Sequence, residues 1–265
     1  MVCPVITLTT DFGLKDAYVA EMKAVILSIC PNALIVDVSH QIEKFNIRMG
    51  AFVLASASPY FPEGTIHVAV IDPSVGTERQ HVLVETGKGY FIGPDNGVLT
   101  LAVRNAGGVL HVRRITDKHF MRSKVSNTFH GRDVFAPVAA HLARGRLAKE
   151  FGPEIGKIAV PEFARVSKRR DALIGEVVHI DDFGNIITNF REKEVALVGY
   201  KPTIMVKLRN TKLKLKFCKT YADVERKEPL TLIGSHDFFE ISVNQGNAAE
   251  IFEIKVGEKV TLYRH

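Results

Sequence analysis

The chain has 265 residues, is 46% hydrophobic and 24% charged, and carries a formal net charge of +6. Those values fit one or two globular domains with a sizeable core and exclude a disordered or low-complexity chain. No apolar run reaches the roughly 18 residues of a membrane span, and Cys3, Cys30 and Cys218 show no CxxC spacing, so no disulfide framework, zinc site or membrane anchor is expected and a reducing, cytoplasmic setting is.

The opening "MVCPVITLTTDFG" has no basic leader or cleavage site and reads straight into a β-branched strand, Val5–Thr10, that ends at Asp11. Asp16 is placed to cap a helix over Ala17–Cys30, in which Val19, Met22, Val25, Ile26 and Ile29 recur at helical spacing before Pro31. A strand at Leu34–Val38 and a helix from Ile47 to near Pro59 follow. "IHVAVI", Ile66–Ile71, is apolar throughout, as a strand buried on both faces should be. Short strands are expected at Val82–Glu85 and Tyr90–Ile92, and helices at Val98–Arg104 and Asp133–Arg144, the second tolerating Pro137 only near its first turn. Strand–helix alternation predicts βαβ units and a mostly parallel sheet covered on both faces, a three-layer α/β/α domain over residues 1–160.

Pro, Gly and charge without periodicity mark a linker at 161–171, and the texture then changes. Residues 172–265 are short strands between turns ("LIGEVVHI", "TIMVKL", "KLKLKF", "LTLIG", "FFEISV", "KVTLY"), a small antiparallel sheet or barrel. The basic excess sits partly in "SKRR" and in Lys212, Lys214 and Lys216, which alternate with Leu213 and Leu215. That alternation is a solvated strand face, not an aromatic-interleaved platform, so nucleic acid is not an expected partner.

Open α/β sheets bind ligands beyond the carboxyl ends of their strands. Asp11 follows the first strand, Asp72 the third ("VIDPSVGTER"), and Asp95 and Asn96 the "YFIG" strand, so acid and amide groups collect at one predicted edge. Each alone is an ordinary turn former beside Gly or Pro; convergence is what turns them into site candidates. Arg79 lies seven positions after Asp72 and points back toward the same turn, while Phe129 and His130 precede a helix in "NTFHGRDVF". Asp181–Asn185, "DDFGN", reads either as a hairpin turn or as a contact loop. No Gly-x-Gly-x-x-Gly, Walker loop or nucleophile elbow is present, and no histidine pair has zinc-ligand spacing, so a metal-independent, cofactor-free site is expected.

Six stretches in order, "TLTTDFGLKDAYVAEMKA", "FPEGTIHVAVIDPSVGTER", "GPDNGVLT", "TFHGRDVFAP", "DDFGNIITN" and "SVNQGNAA", resemble the adenosine-forming S-adenosyl-L-methionine (SAM) hydrolases. These are also called SAM hydroxide adenosyltransferases, and are relatives of the fluorinase and chlorinase enzymes. The resemblance implies an N-terminal α/β domain, a C-terminal β-barrel, and a homotrimer with its site between the first domain of one subunit and the second of its neighbour. It implies a catalytic set at Asp72, Arg79 and His130. Asp11 would hold the ribose hydroxyls and Phe45 would line the ribose pocket. Phe183 and Asn185 would stack on and hydrogen-bond adenine, and Asp16 and Asp181 would face the methionine amino group. Ser235 would meet the carboxylate, with Glu240 and the Val243 backbone nearby. The chain departs from the family pattern after Ser235, where "GSHDFFE" adds His236 and Asp237.

The implied reaction is SAM plus water to adenosine plus methionine, by in-line attack at the ribose C5′. A sulfonium departs as a neutral thioether, so the chemical problem is the nucleophile. Asp72 would orient water and take its proton, Arg79 would stabilise the developing hydroxide, and His130 would fix the water's orientation. In the halide-using branch an aromatic resembles the Asp72 position and a small hydroxyl residue lies near Gly131; the acid here points to water. The alternatives are a halide-using SAM enzyme, or a nucleoside- or nucleic-acid-binding module that kept the fold.

Overall fold

A computed structural model describes residues 3–199 and 202–264. The chain forms two compact units, residues 1–160 and 161–265. In the first unit, β1 (Val5–Thr10), β2 (Leu34–Ser39), β3 (Thr65–Val70), β4 (His81–Glu85), β5 (Gly89–Pro94) and β6 (His111–Arg114) form one sheet in the order β2-β1-β3-β5-β4-β6. The pairs β2–β1, β1–β3 and β3–β5 are parallel, while β4 runs antiparallel to both β5 and β6. The carboxyl ends of β1, β3 and β5 therefore share an edge with the start of β4. The charged, four-residue β6 was not anticipated; its pattern is too short and polar to stand out.

β3 is buried at all six positions. Its Ile66, Val68 and Val70 join Ile6 and Leu8 in a core with Met22, Val25 and Ile26 of α1 (Tyr18–Ile29) and Val138, Ala139 and Ala140 of α4 (Ala136–Ala143). In chain order α2 (Ile47–Ala57) and α3 (Thr100–Asn105) come between α1 and α4, and they pack against each other. Asp16 does not cap α1: the N-cap is Ala17, without a side-chain hydrogen bond, and Asp16 is exposed. The helix expected from Asp133 instead opens with a π turn at Gly131–Phe135, and α4 follows with Pro137 in its first turn, where a missing N–H costs little.

In the second unit, β7 (Ser167–Lys168), β8 (Ala172–Ile180), β9 (Ile186–Arg191), β10 (Thr203–Leu208), β11 (Thr211–Phe217), β12 (Pro229–Ile233), β13 (Phe238–Val243) and β14 (Lys259–Tyr263) run in the order β14-β10-β11-β12-β13-β9-β8-β7. Pairing of β14 with β8 closes seven of these strands into a barrel. One pair departs from the expected antiparallel pattern: β11 and β12 are parallel. β9 was also unanticipated, since Thr188, Asn189 and Arg191 interrupt its apolar run; all six of its residues are buried, and Thr188 donates to Phe239 O at 2.8 Å. Part of the segment expected as a linker joins this unit. Asn189 Nδ2 donates to Phe163 O at 3.1 Å and Arg165 O at 2.7 Å, and β7 pairs with β8.

His67, inside β3, is 4% exposed and bonds Thr7 Oγ1 through Nδ1 at 2.8 Å, with its ring stacked on Phe91. Burial pushes its pKa down to about 4. The unfolded chain takes up this proton near the usual imidazole value and the folded chain does not. Stability is therefore complete above about pH 6.5 and falls as pH drops toward 4. Denaturant titrations should show a lower unfolding free energy at pH 5 than at pH 7, and His67→Gln should remove roughly 2 kcal/mol of that difference.

Candidate active site

The loop from Asp72 to Arg79 joins the buried end of β3 to the start of β4, two strands that flank β5, so a carboxylate and a guanidinium leave the sheet at one edge. Arg79 Nε donates to Asp72 Oδ1 at 2.9 Å, and Nη2 donates to Asp72 Oδ2. The fork matches the carboxylate on both arms. The two side chains are only 7% and 5% exposed. The second hydrogen of Nη2 goes to His130 Nδ1, at 2.7 Å. Arg79 Nη1 is buried and has no protein partner among the described residues.

A guanidinium has no lone pair to offer, so His130 Nδ1 must accept, and neutral His130 carries its hydrogen on Nε2. Burial, then the Arg79 charge, lowers the His130 pKa, against opposing pulls from Asp72 and Asp133. The site thus holds a carboxylate, a guanidinium and a neutral imidazole in one chain of hydrogen bonds.

Two loops hold this chain together. Gly76, at φ +82°, passes the loop before His130 so closely that a Cβ would lie 2.7 Å from Asn127 O. Asp133, fully buried, accepts from Ser126 N at 2.8 Å and from Arg132 Nε at 2.7 Å, and its carbonyl accepts from Arg122 N. It pins the chain leading into His130. The π turn directly after His130 is a local departure of the kind found at functional sites.

The other predicted residues of the first unit divide into two groups. Asp11, 5% exposed, accepts from Phe45 N at 2.8 Å through Oδ2, and its carbonyl accepts from Lys44 Nζ. Phe45 is held at φ +66°, an unusual conformation for a side-chain-bearing residue, and is 68% exposed. Asp95, Asn96 and Phe129 also make supporting contacts within the unit. Asp95 Oδ1 accepts from Ala159 N at 2.7 Å, and burial raises its pKa. Asn96 Nδ2 donates to Ile71 O at 2.8 Å, fixing the backbone just before Asp72. Phe129 is 8% exposed and packs edge-on against Phe12 and Tyr18.

In the second unit Asp181 organises the turn between β8 and β9. Its Oδ1 accepts from Phe183 N and Asn185 N, and its Oδ2 from Asn185 Nδ2. The result is a Phe183 ring 79% exposed at the tip and an Asn185 only 7% exposed. Ser235 sits exposed in the turn from β12 to β13. That turn is braced by Arg191 Nη1, which donates to His236 O at 2.8 Å. Glu240 is 6% exposed; its Oε1 accepts from Tyr221 OH and Ser242 Oγ, each at 2.6 Å. Burial first, then the Glu240 contact, raises the Tyr221 pKa above the usual phenol range. The Val243 side chain lies in the barrel core and its carbonyl accepts from Gly246 N at 2.9 Å.

Sequence reading missed His81. Its Nε2 lies 2.9 Å from His130 Nδ1, and its ring packs between His130 and Phe135. The signal was its spacing: alternate residues of an extended segment share a face, so His81 follows Arg79. Among the described residues no group of three or more His, Cys, Asp or Glu is placed to hold a metal ion, and no helix is long and apolar enough to cross a membrane.

Comparison with known proteins agrees over both units. Residues 6–152 match the SAM hydroxide adenosyltransferase N-terminal domain, and residues 175–261 match the C-terminal domain. The chain is 40% identical over 270 residues to the (R)-S-adenosyl-L-methionine hydrolase of Methanocaldococcus jannaschii, covering 97% of this chain and 95% of that one. A Thermus thermophilus protein of the same name is 36% identical over 260 residues, covering 96% and 97%. A fluorinase from an Actinoplanes species is 28% identical over 292 residues, covering 98% and 97%. The crystal structure of an uncharacterized conserved protein from Thermotoga maritima superposes with a TM-score of 0.86 at 36% identity, covering 98% of this chain and all of that one. The chain belongs to the SAM hydroxide adenosyltransferase family.

Proposed function

We propose that this enzyme hydrolyses SAM to adenosine and L-methionine by in-line attack of water on the ribose C5′. The observation that carries the reading is the buried Arg79 fork, bound to Asp72 on one side and His130 on the other. Water's oxygen forms the new bond to C5′ as the C5′–S bond breaks. The bonding pair leaves on sulfur, which becomes the neutral thioether of methionine, and water loses one proton. Asp72 spends one lone pair of each oxygen on Arg79 and keeps others to orient the water and take that proton. Arg79 stays charged throughout and stabilises the developing hydroxide, an effect strengthened by exclusion of solvent. His130 contributes the Nε2–H left to it once Nδ1 is spent. General-base assistance supplies about 10²–10⁴-fold, so positioning of the sulfonium in line with the water, worth up to roughly 7–11 kcal/mol, carries more of the rate.

The substrate contacts are assigned on the same reading. Asp11 Oδ1, free once Oδ2 is bound to Phe45 N, takes the ribose hydroxyls, and the exposed Phe45 ring lines the sugar. Phe183 supplies a stacking face for adenine. One hydrogen of Asn185 Nδ2 goes to Asp181, which leaves the other and the carbonyl oxygen to hydrogen-bond adenine. Asp16 and Asp181 face the methionine amino group, and Ser235 its carboxylate, with Glu240 and Val243 nearby. The enzyme works as a homotrimer in which the first unit of one subunit and the second of its neighbour complete each site. SAM is the substrate and no cofactor is required; the setting is cytoplasmic.

The fluorinase relative motivates the second reading, halide in place of water. Two features weigh against it: the Asp72 carboxylate, which repels an anionic nucleophile, and the absence of a hydroxyl at Gly131. Incubating the purified protein with SAM, with and without chloride or fluoride, and resolving products by chromatography decides between them. Adenosine and methionine in equal amounts, unaffected by halide, are expected; a 5′-halo product, or no turnover, overturns the assignment. Arg79→Lys, which keeps the charge but loses the fork, should lower kcat by about 10²-fold or more with KM little changed, read by adenosine release. Phe183→Ala should do the opposite, raising KM about 10-fold or more at nearly constant kcat, because a stacked base is worth about 1–3 kcal/mol. Light scattering should give three times the chain mass.

A further inference from the structure

We propose that His81 is a positioning residue for this reaction, a second donor beside Arg79 at His130 Nδ1 that holds the imidazole in place and keeps that nitrogen bare, so that His130 meets the nucleophile as a neutral Nε2–H donor. The inference rests on the reading of Asp72, Arg79 and His130 as the groups that hold the attacking water.

Arg79 forces His130 Nδ1 to accept, and His81 Nε2 lies 2.9 Å from that same nitrogen. Two lone pairs facing at that distance repel, so His81 presents its own N–H there and keeps its lone pair on Nδ1. The single lone pair of His130 Nδ1 is therefore shared by two donors. A proton arriving at that nitrogen would have to displace both. The alternative tautomer, with hydrogen on Nδ1, would set an N–H against the guanidinium.

Packing holds His81 in place for this. Its ring stands at 75° to His130, with centroids 4.7 Å apart, and at 67° to Phe135, with centroids 5.4 Å apart. Its carbonyl accepts from Ile115 N at 2.9 Å, tying the backbone to the chain beyond β6. The charged or titratable groups acting on His81 are Arg79 and His130, and those acting on His130 are Arg79, Asp72, Asp133 and His81. Burial first, then Arg79 and His130, pushes the His81 pKa down to about 4, so it remains a neutral donor through the physiological range. Nothing places His81 against the reacting atoms; its action passes through His130.

Two measurements test this. Nitrogen-15 spectra of histidine-labelled protein, assigned with a His130→Gln control, report the tautomer without SAM. Wild type should show His130 with hydrogen on Nε2 and a bare Nδ1; His81→Phe, which keeps the ring packing and leaves Arg79 to set the tautomer, should show Nδ1 taking up a proton at a higher pH than in wild type. In steady-state kinetics, His81→Phe should lower kcat about 10-fold with KM within about twofold, one hydrogen bond's worth, and move the acidic limb of the kcat profile to higher pH. His81→Gln, which keeps an N–H donor, should recover much of both. A wild-type His130 with hydrogen on Nδ1, or a folded His81→Phe with unchanged kcat and pH profile, overturns the proposal. If His81→Phe does not fold, His81→Leu, which also lacks the N–H, is read by the same two measurements. Absence of SAM turnover by wild type would instead remove the hydrolase reading, while the spectra would still report the tautomer.

Discussion

The Arg79–Asp72 ion pair is the constraint around which the first unit is arranged. Both side chains are more than nine-tenths buried, and a buried pair costs several kcal/mol of desolvation per ion before its attraction is counted. Well-packed apolar residues would fill such a place at less cost. Removing one partner is worse still, since it strands the other charge. The surroundings serve the pair: Asn96 holds the carbonyl of Ile71, Ser74 Oγ lies 3.4 Å from Asp72 Oδ1, and His130 takes the remaining hydrogen of Nη2. A fixed charge in a dry place is poor design for stability and good design for stabilising a hydroxide.

The second unit shows a related economy in a milder form. Asp181 accepts from two backbone amides and one side-chain amide, and the product of that local order is an exposed aromatic ring held at a turn. Exposed Phe is costly on a free surface, and its cost falls when a flat ligand covers it. Glu240, Tyr221 and Ser242 form another satisfied cluster, in which one carboxylate oxygen accepts from two hydroxyls. Both clusters are hydrogen-bonded within themselves, and order of that kind lowers the entropy lost on binding.

Much of this was legible in the residues. The apolar run of β3, the strand–helix alternation and the acid-bearing strand ends together placed Asp11 and Asp72 at one edge, because parallel strands share a carboxyl end. What could not be read was which backbone groups each polar turn residue engages. Asp95 and Asn96 look like Asp72 in sequence; in the fold Asp95 Oδ1 accepts from Ala159 N, and Asn96 joins Ile71 O to Val98 N. His81 escaped notice because the reversal of β4, which returns its first residue to the active edge, is a tertiary fact. β9 escaped for a different reason: its polar side chains are satisfied by bonds from other parts of the barrel, and local pattern holds no record of those partners.

The close passage at Gly76 has a consequence for how such a site can change. The turn carrying the acid and the arginine, and the loop leading to the imidazole, touch backbone to backbone where no Cβ fits. Neither can be lengthened or reshaped without the other giving way. Diversification of this scaffold is therefore constrained to move both segments in step, and a graft from a relative with a different nucleophile would have to carry the two loops as a single cassette.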